Sequence, residues 1–207
     1  VGLLIVAVLV SLWAASSVIK SLIDGFNAAY RVPRTRSLMA HTGVGLALVF
    51  LSMIPMVGAS SLVLFGGTIE HGVMRLWKLD PALNPLTWWL ALAFRVGRYA
   101  IAFGAFWTLT TILYYFGPFR KQRWSGLWGG AFLATVLWLL ATLGFSWYER
   151  HITNYNVLYG SIGTGIALLI WMYLLAIIAL FGCEFNAERE RMRRAESAET
   201  GGTGTLS

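Results

Sequence analysis

Five long apolar runs constrain this chain more than any other feature: Val1 to Val18, His41 to Gly67, Leu90 to Phe116, Trp128 to Trp147 and Gly160 to Cys183. A helix needs about 20 mostly apolar residues to cross roughly 30 Å of hydrocarbon. Composition agrees with that reading. Of the 207 residues, 57% are hydrophobic and 12% charged, and the mean hydropathy is +0.67. A water-soluble domain carries about a quarter charged residues, so this chain is short of the polar surface that water requires. The expected fold class is all-α: a polytopic transmembrane helix bundle with five spans. Residues 1–195 read as a single domain, and 196–207 as a disordered tail of low complexity.

The single cysteine, Cys183, rules out an internal disulfide and a Cys-rich metal site. The net charge of +7 fits basic loops facing anionic headgroups better than nucleic acid, because no long Lys/Arg tract is present. Lys20, Arg31, Arg34 and Arg36 fall in the first loop, and Arg120, Lys121 and Arg123 in the third. Arg189, Arg191, Arg193 and Arg194 fall in the tail. The second and fourth loops hold only Arg75, Lys78 and Arg150. The positive-inside rule therefore places the first loop, the third loop and the C-terminus in the cytoplasm. Five spans with that tail leave the N-terminus outside. The chain opens on Val1 within an apolar run, so an upstream segment with at least one further span is expected.

Several segments carry polar features inside this frame. Beyond the first span, Ile19, Leu22, Ile23, Phe26 and Tyr30 repeat at helical spacing. They suit either a helix lying along the inner surface or a plain helical extension, with Pro33 as its stop. Pro55 interrupts the second span, and Ser52, Ser60 and Ser61 stand near to satisfy freed carbonyls. In the third, Arg95 and Arg98 lie three apart and share a helix face. They can snorkel to the outer interface beside Trp88 and Trp89, or point inward as a paired cationic site for phosphate or carboxylate. The fourth loop brings Asn154, Asn156 and Tyr159 to the mouth of the last span, as headgroup contacts or helix caps.

The stretch "YGSIGTG", Tyr159 to Gly165, has glycines near the spacing of a nucleotide loop. Such a loop must follow a strand in a βαβ unit, whereas this one opens the most apolar helix. Read in lipid, Gly160 and Thr164, and Ser161 and Gly165, have small-xxx-small spacing. We expect Gly160, Gly163, Thr164 and Gly165 to mark a packing face, with Gly163→Leu disrupting the bundle. Catalytic patterns do not appear. His41, His71 and His151 fall in three separate regions, and the chain has no Gly-x-Ser-x-Gly elbow, Walker loop or Cys/His ligand set. No enzyme activity, metal or cofactor is expected.

Taken together, "SLIDGFNAAYRVPRTRS", "LYYFGP" and the stretch from "GAFLATVLWLL" to "FGCEFNAE" resemble the bacterial YihY/BrkB family of inner-membrane proteins. The residues that match the family pattern are Asn27 and Tyr30, Pro118, the Tyr155 to Ser161 stretch, and the exit Gly182, Glu184, Asn186. The resemblance implies a cytoplasmic-membrane protein of envelope biology and virulence, with about six spans in the intact pattern. It supplies no mechanism, and an old ribonuclease label attached to the family finds no nuclease chemistry here.

Two functions remain open from sequence. One is a transporter or flippase of an anionic lipid-like substrate, bound by Arg95, Arg98, Asn154, Asn156 and Tyr159. The other is a non-catalytic structural or assembly partner in the envelope. Expected partners are membrane lipids and a lipid-linked or anionic envelope substrate, with no nucleic acid; a homo-oligomer fits either reading.

Overall fold

The computed structural model describes residues 2–32, 38–76, 85–120, 122–152 and 156–203. They form five helices: α1 (Gly2–Ala29), α2 (Leu38–Leu76), α3 (Pro85–Phe116), α4 (Trp124–Ile152) and α5 (Asn156–Thr203). Each contains a stretch long and apolar enough to cross a membrane, namely Gly2–Ala29, Thr42–Ile69, Trp88–Phe116, Trp124–Arg150 and Gly165–Ala198. The chain is an all-α, multi-pass membrane protein.

The helices end for local reasons. α1 runs unbroken for 28 residues, so the amphipathic stretch after the first apolar run is a plain extension and not a separate surface helix. It stops at a left-handed residue, Arg31 with φ 53°. The Arg31 N–H donates to Ala28 O (3.0 Å) and the Val32 N–H to Asn27 O (2.9 Å). That pair of bonds is a Schellman cap, and it halts the helix ahead of Pro33. α3 ends where the Gly117 N–H meets Leu113 O at 2.9 Å and Pro118, which has no N–H, follows.

α2 continues through Pro55. The Ser52 hydroxyl donates to Val49 O at 2.8 Å, not to the Leu51 carbonyl that Pro55 leaves without its usual donor. α5 is 48 residues long, about 72 Å at 1.5 Å per residue and more than twice the hydrocarbon thickness. It continues to Thr203, into the stretch whose composition suggested a disordered tail. Arg191–Glu188 (2.8 Å) and Arg194–Glu190 (2.7 Å) link successive turns of its charged portion.

Chain neighbours pack side by side, and α1 returns to α5, so the helices close a ring. The core is not central along the bundle. Phe26 and Tyr30 of α1 and its cap, Tyr114 of α3, Leu127, Ala131 and Ala134 of α4, and Ile178, Cys183 and Ala187 of α5 form one buried cluster. It sits at the end that carries Arg120, Arg123 and the arginines of α5, hereafter the basic end. Toward the opposite end α1 is almost wholly exposed, with Leu3 at 90% and Leu4 at 71%. Those apolar faces suit lipid as solvent.

Candidate functional site

The basic end is held by polar side chains reaching across to backbone. Asn186 of α5 is buried. Its Oδ1 accepts from the Gly130 N–H (2.8 Å) and its Nδ2 donates to Leu127 O (3.0 Å), clamping the first turns of α4. Beside it, Gly130 and Gly182 let the two backbones touch. A Cβ at Gly182 would stand 2.7 Å from Gly130 O and 2.8 Å from Ala134 Cβ. Tyr114 donates its hydroxyl to Ala179 O at 2.6 Å and meets Phe26 edge-on at 5.2 Å. Asn27 of α1, also buried, accepts from the Phe119 N–H at 2.8 Å and so ties the 3–4 connection to α1. Pro118 is buried in that connection. The last turn of α1 is closed by Arg191, whose Nη2 donates to Ala29 O at 2.7 Å.

Next to this clamp lies a cavity of about 570 Å³. The N-terminus of α4 and the charged portion of α5 enclose it, with Gln122, Arg123, Arg189, Glu190, Arg193 and Arg194 among its lining. Glu190 is taken by Arg120 and Arg194. Arg123, Arg189 and Arg193 make no ion pair with a described residue. Arg189 lies across Gly129, where a Cβ would stand 2.8 Å from its Nη1. Both amide heteroatoms of Gln122 are shielded from water without a hydrogen-bond partner. Tyr30 reaches the same cavity, with Arg120 over its ring at 5.1 Å. Burial pushes the Tyr30 hydroxyl well above the ordinary phenol range, so it stays neutral there.

A second polar feature stands toward the opposite end. Arg98 of α3 is half-buried against α2, its side chain lying where a Cβ of Gly66 would be. Its Nε is shielded from water without a partner. Arg95, three residues before Arg98, is exposed. Asn154 lies outside the described residues. Asn156, Tyr159, Gly160 and Thr164 belong to α5, but their side chains also lie outside the described part. Gly163 is half-buried, and Gly165 is exposed with nothing within 4 Å of a Cβ built on it. Among the described residues, no three His, Cys, Asp or Glu side chains gather where they would hold a metal ion.

Sequence comparison decides the family, because the Virulence factor BrkB profile matches residues 1–204. The chain belongs to the virulence factor BrkB family. It is 29% identical over 186 residues to a putative ribonuclease-like protein, YfkH, of Bacillus subtilis, covering 90% of this chain and 65% of that protein. A UPF0761 membrane protein of Vibrio vulnificus is 37% identical over 87 residues, 41% of this chain and 28% of the relative. A third, a UPF0761 membrane protein of Prosthecochloris aestuarii, is 25% identical over 171 residues, 65% of this chain and 40% of the relative. The chain thus spans less than two thirds of the length of each of these relatives. No solved structure matches it.

Of the residues that pointed to the BrkB family, Asn27, Tyr30, Pro118 and Asn186 come together at the basic end. Glu184 is exposed near them, 3.5 Å from Arg191. Two things escaped the sequence reading. The close helix approach at Gly130 was signalled by Gly126, Gly130 and Ala134, spaced four apart. The arginines of the cavity entered only as a topology count, since nothing in their spacing shows that α4 opens against them.

Proposed function

We propose that this BrkB-family chain is a multi-pass protein of the bacterial cytoplasmic membrane that moves an anionic, lipid-like envelope substrate without catalytic chemistry. The basic end and the C-terminus face the cytoplasm, by the excess of Lys and Arg there. The observation that carries the reading is Arg98, a guanidinium drawn between α2 and α3 with its Nε unpaired. A charge held at membrane depth is costly and is retained where it has work to do. Gly66 supplies the room, and an anionic group passing the slot supplies the missing acceptor. Arg95, Asn154, Asn156 and Tyr159 belong to the same reading as contacts for that group at the outer face.

Reconstitution with fluorescent anionic lipids tests it. Native protein should speed lipid exchange between leaflets, and Arg98→Ala should cut that rate about tenfold, the worth of one charge-assisted hydrogen bond. Equal rates in native and variant protein remove the arginine's role.

A second reading, an assembly partner that moves nothing, is favoured by Gly97 and Gly104. They lie seven apart on α3, and a Cβ at either would meet nothing within 4 Å, which leaves room for a neighbouring helix. Absence of exchange by native protein, with self-crosslinking of Gly104→Cys in membranes, would favour it. The ribonuclease name of the Bacillus relative is not extended to this chain, whose histidines lie in three separate segments. Cleavage of tRNA by the purified protein would show nuclease activity after all.

A further inference from the structure

The transport reading makes no use of the cavity at the basic end, yet that cavity is the most strongly charged feature among the described residues. Four arginines line it, Arg123, Arg189, Arg193 and Arg194, against the single carboxylate of Glu190. That carboxylate is already engaged by Arg120 and Arg194. Arg123, Arg189 and Arg193 therefore gather like charge, none of them in an ion pair with a described residue. Gathered cations of this kind create a field that concentrates anions.

Three further observations point the same way. Arg189 lies over Gly129, where a Cβ would stand 2.8 Å from its Nη1 and would press the guanidinium aside. On the wall both heteroatoms of the Gln122 amide are shielded from water without a partner; such buried polar groups are costly, and the Nε2 donor suits an anion's oxygen. The N-terminal end of α4 borders the same space through Gln122, Arg123, Ser125 and Gly126, and the positive end of a helix dipole favours an anion there. Planar guanidinium forks suit the oxygens of a phosphate better than a simple halide.

We propose that this cavity is a seat for a phosphate-bearing anion, supplied by a lipid headgroup or by a small soluble phosphate compound. It lies at headgroup level. Trp124 and Trp128, both exposed, mark the interface on α4, and Arg189 is five residues beyond Glu184, where the apolar run of α5 ends. The seat is distinct from Arg98 and independent of transport, so the two readings fail separately.

The test uses the full chain in phosphatidylcholine nanodiscs doped with phosphatidylglycerol. Native mass spectrometry counts the retained lipid, and calorimetry measures inorganic pyrophosphate. Native protein should retain phosphatidylglycerol over phosphatidylcholine, or bind pyrophosphate, and the responding probe names the source. Arg189→Gln combined with Arg193→Gln should weaken that binding about tenfold or more, while Arg193→Lys, which keeps the charge and loses the planar fork, should weaken it less. Shielding of Cys183 from a thiol dye reports that each variant is folded. If the double variant exposes Cys183, Arg193→Glu at its exposed position takes its place under the same criterion. Binding unchanged in the arginine variants overturns the proposal. So does failure of both probes, including the case in which only tRNA binds.

Discussion

Glycine makes room at both ends of this molecule, and the two uses differ. At the basic end Gly130 and Gly182 bring one helix backbone against another, with Asn186 and Tyr114 bonded across the contact. Toward the opposite end Gly66 brings a helix backbone against a guanidinium, and the Nε of that guanidinium is left unpaired. Where room is filled by backbone and each reaching polar group finds a carbonyl or N–H, the contact stabilises the fold. Where it is filled by a guanidinium with one donor left unmet, the contact is open to a ligand.

Substitutions can break or sharpen that contrast, and the single, fully buried Cys183 offers a readout, since a thiol dye reacts with it only on unfolding. The largest effect is expected from Gly182→Val. Its side chain would run into Gly130 O and the Tyr114 hydroxyl, neither of which is a flexible end, at a cost of about 3 kcal/mol or more. A melting midpoint equal to that of native protein would remove the backbone contact from the account. Asn186→Ala should follow at about 2 kcal/mol, through two lost hydrogen bonds and a strained start to α4. Tyr114→Phe, which removes one hydroxyl bond, should lower stability by about 1 kcal/mol. Gly66→Ala should cost less than about 1 kcal/mol, because Arg98 can swing aside. Lipid exchange should nevertheless fall with it, and unchanged exchange would break the contrast from its other side. Gly165→Ala should leave stability unchanged or raise it by up to about 1 kcal/mol, since the added methyl meets nothing and alanine loses less backbone freedom in a helix than glycine.

Some of this was legible before any coordinates. All five spans could be read because the bilayer sets their length. Asn27 and Asn186 stood out through the family pattern, but their work did not. Asn27 bonds a residue 92 positions away, and Asn186 bonds residues 56 and 59 positions away. Small-xxx-small spacing says that a helix face can be approached closely, without saying by which helix or at what depth. "YGSIGTG" satisfies the spacing, yet Gly165 is open, and the described close approach lies lower on the same helix at Gly182.

By itself the sequence determined a multi-pass helical membrane protein and a charge asymmetry between its two ends. Both follow from solvation, which each residue experiences whatever its distant neighbours. Tertiary structure alone decided that the arginines of α5 meet the start of α4 around a cavity, and that Arg98 lies against Gly66 while Arg95 stays outside. Those outcomes depend on the crossing point of two helices, set by side-chain shapes on both. No property of one segment contains them.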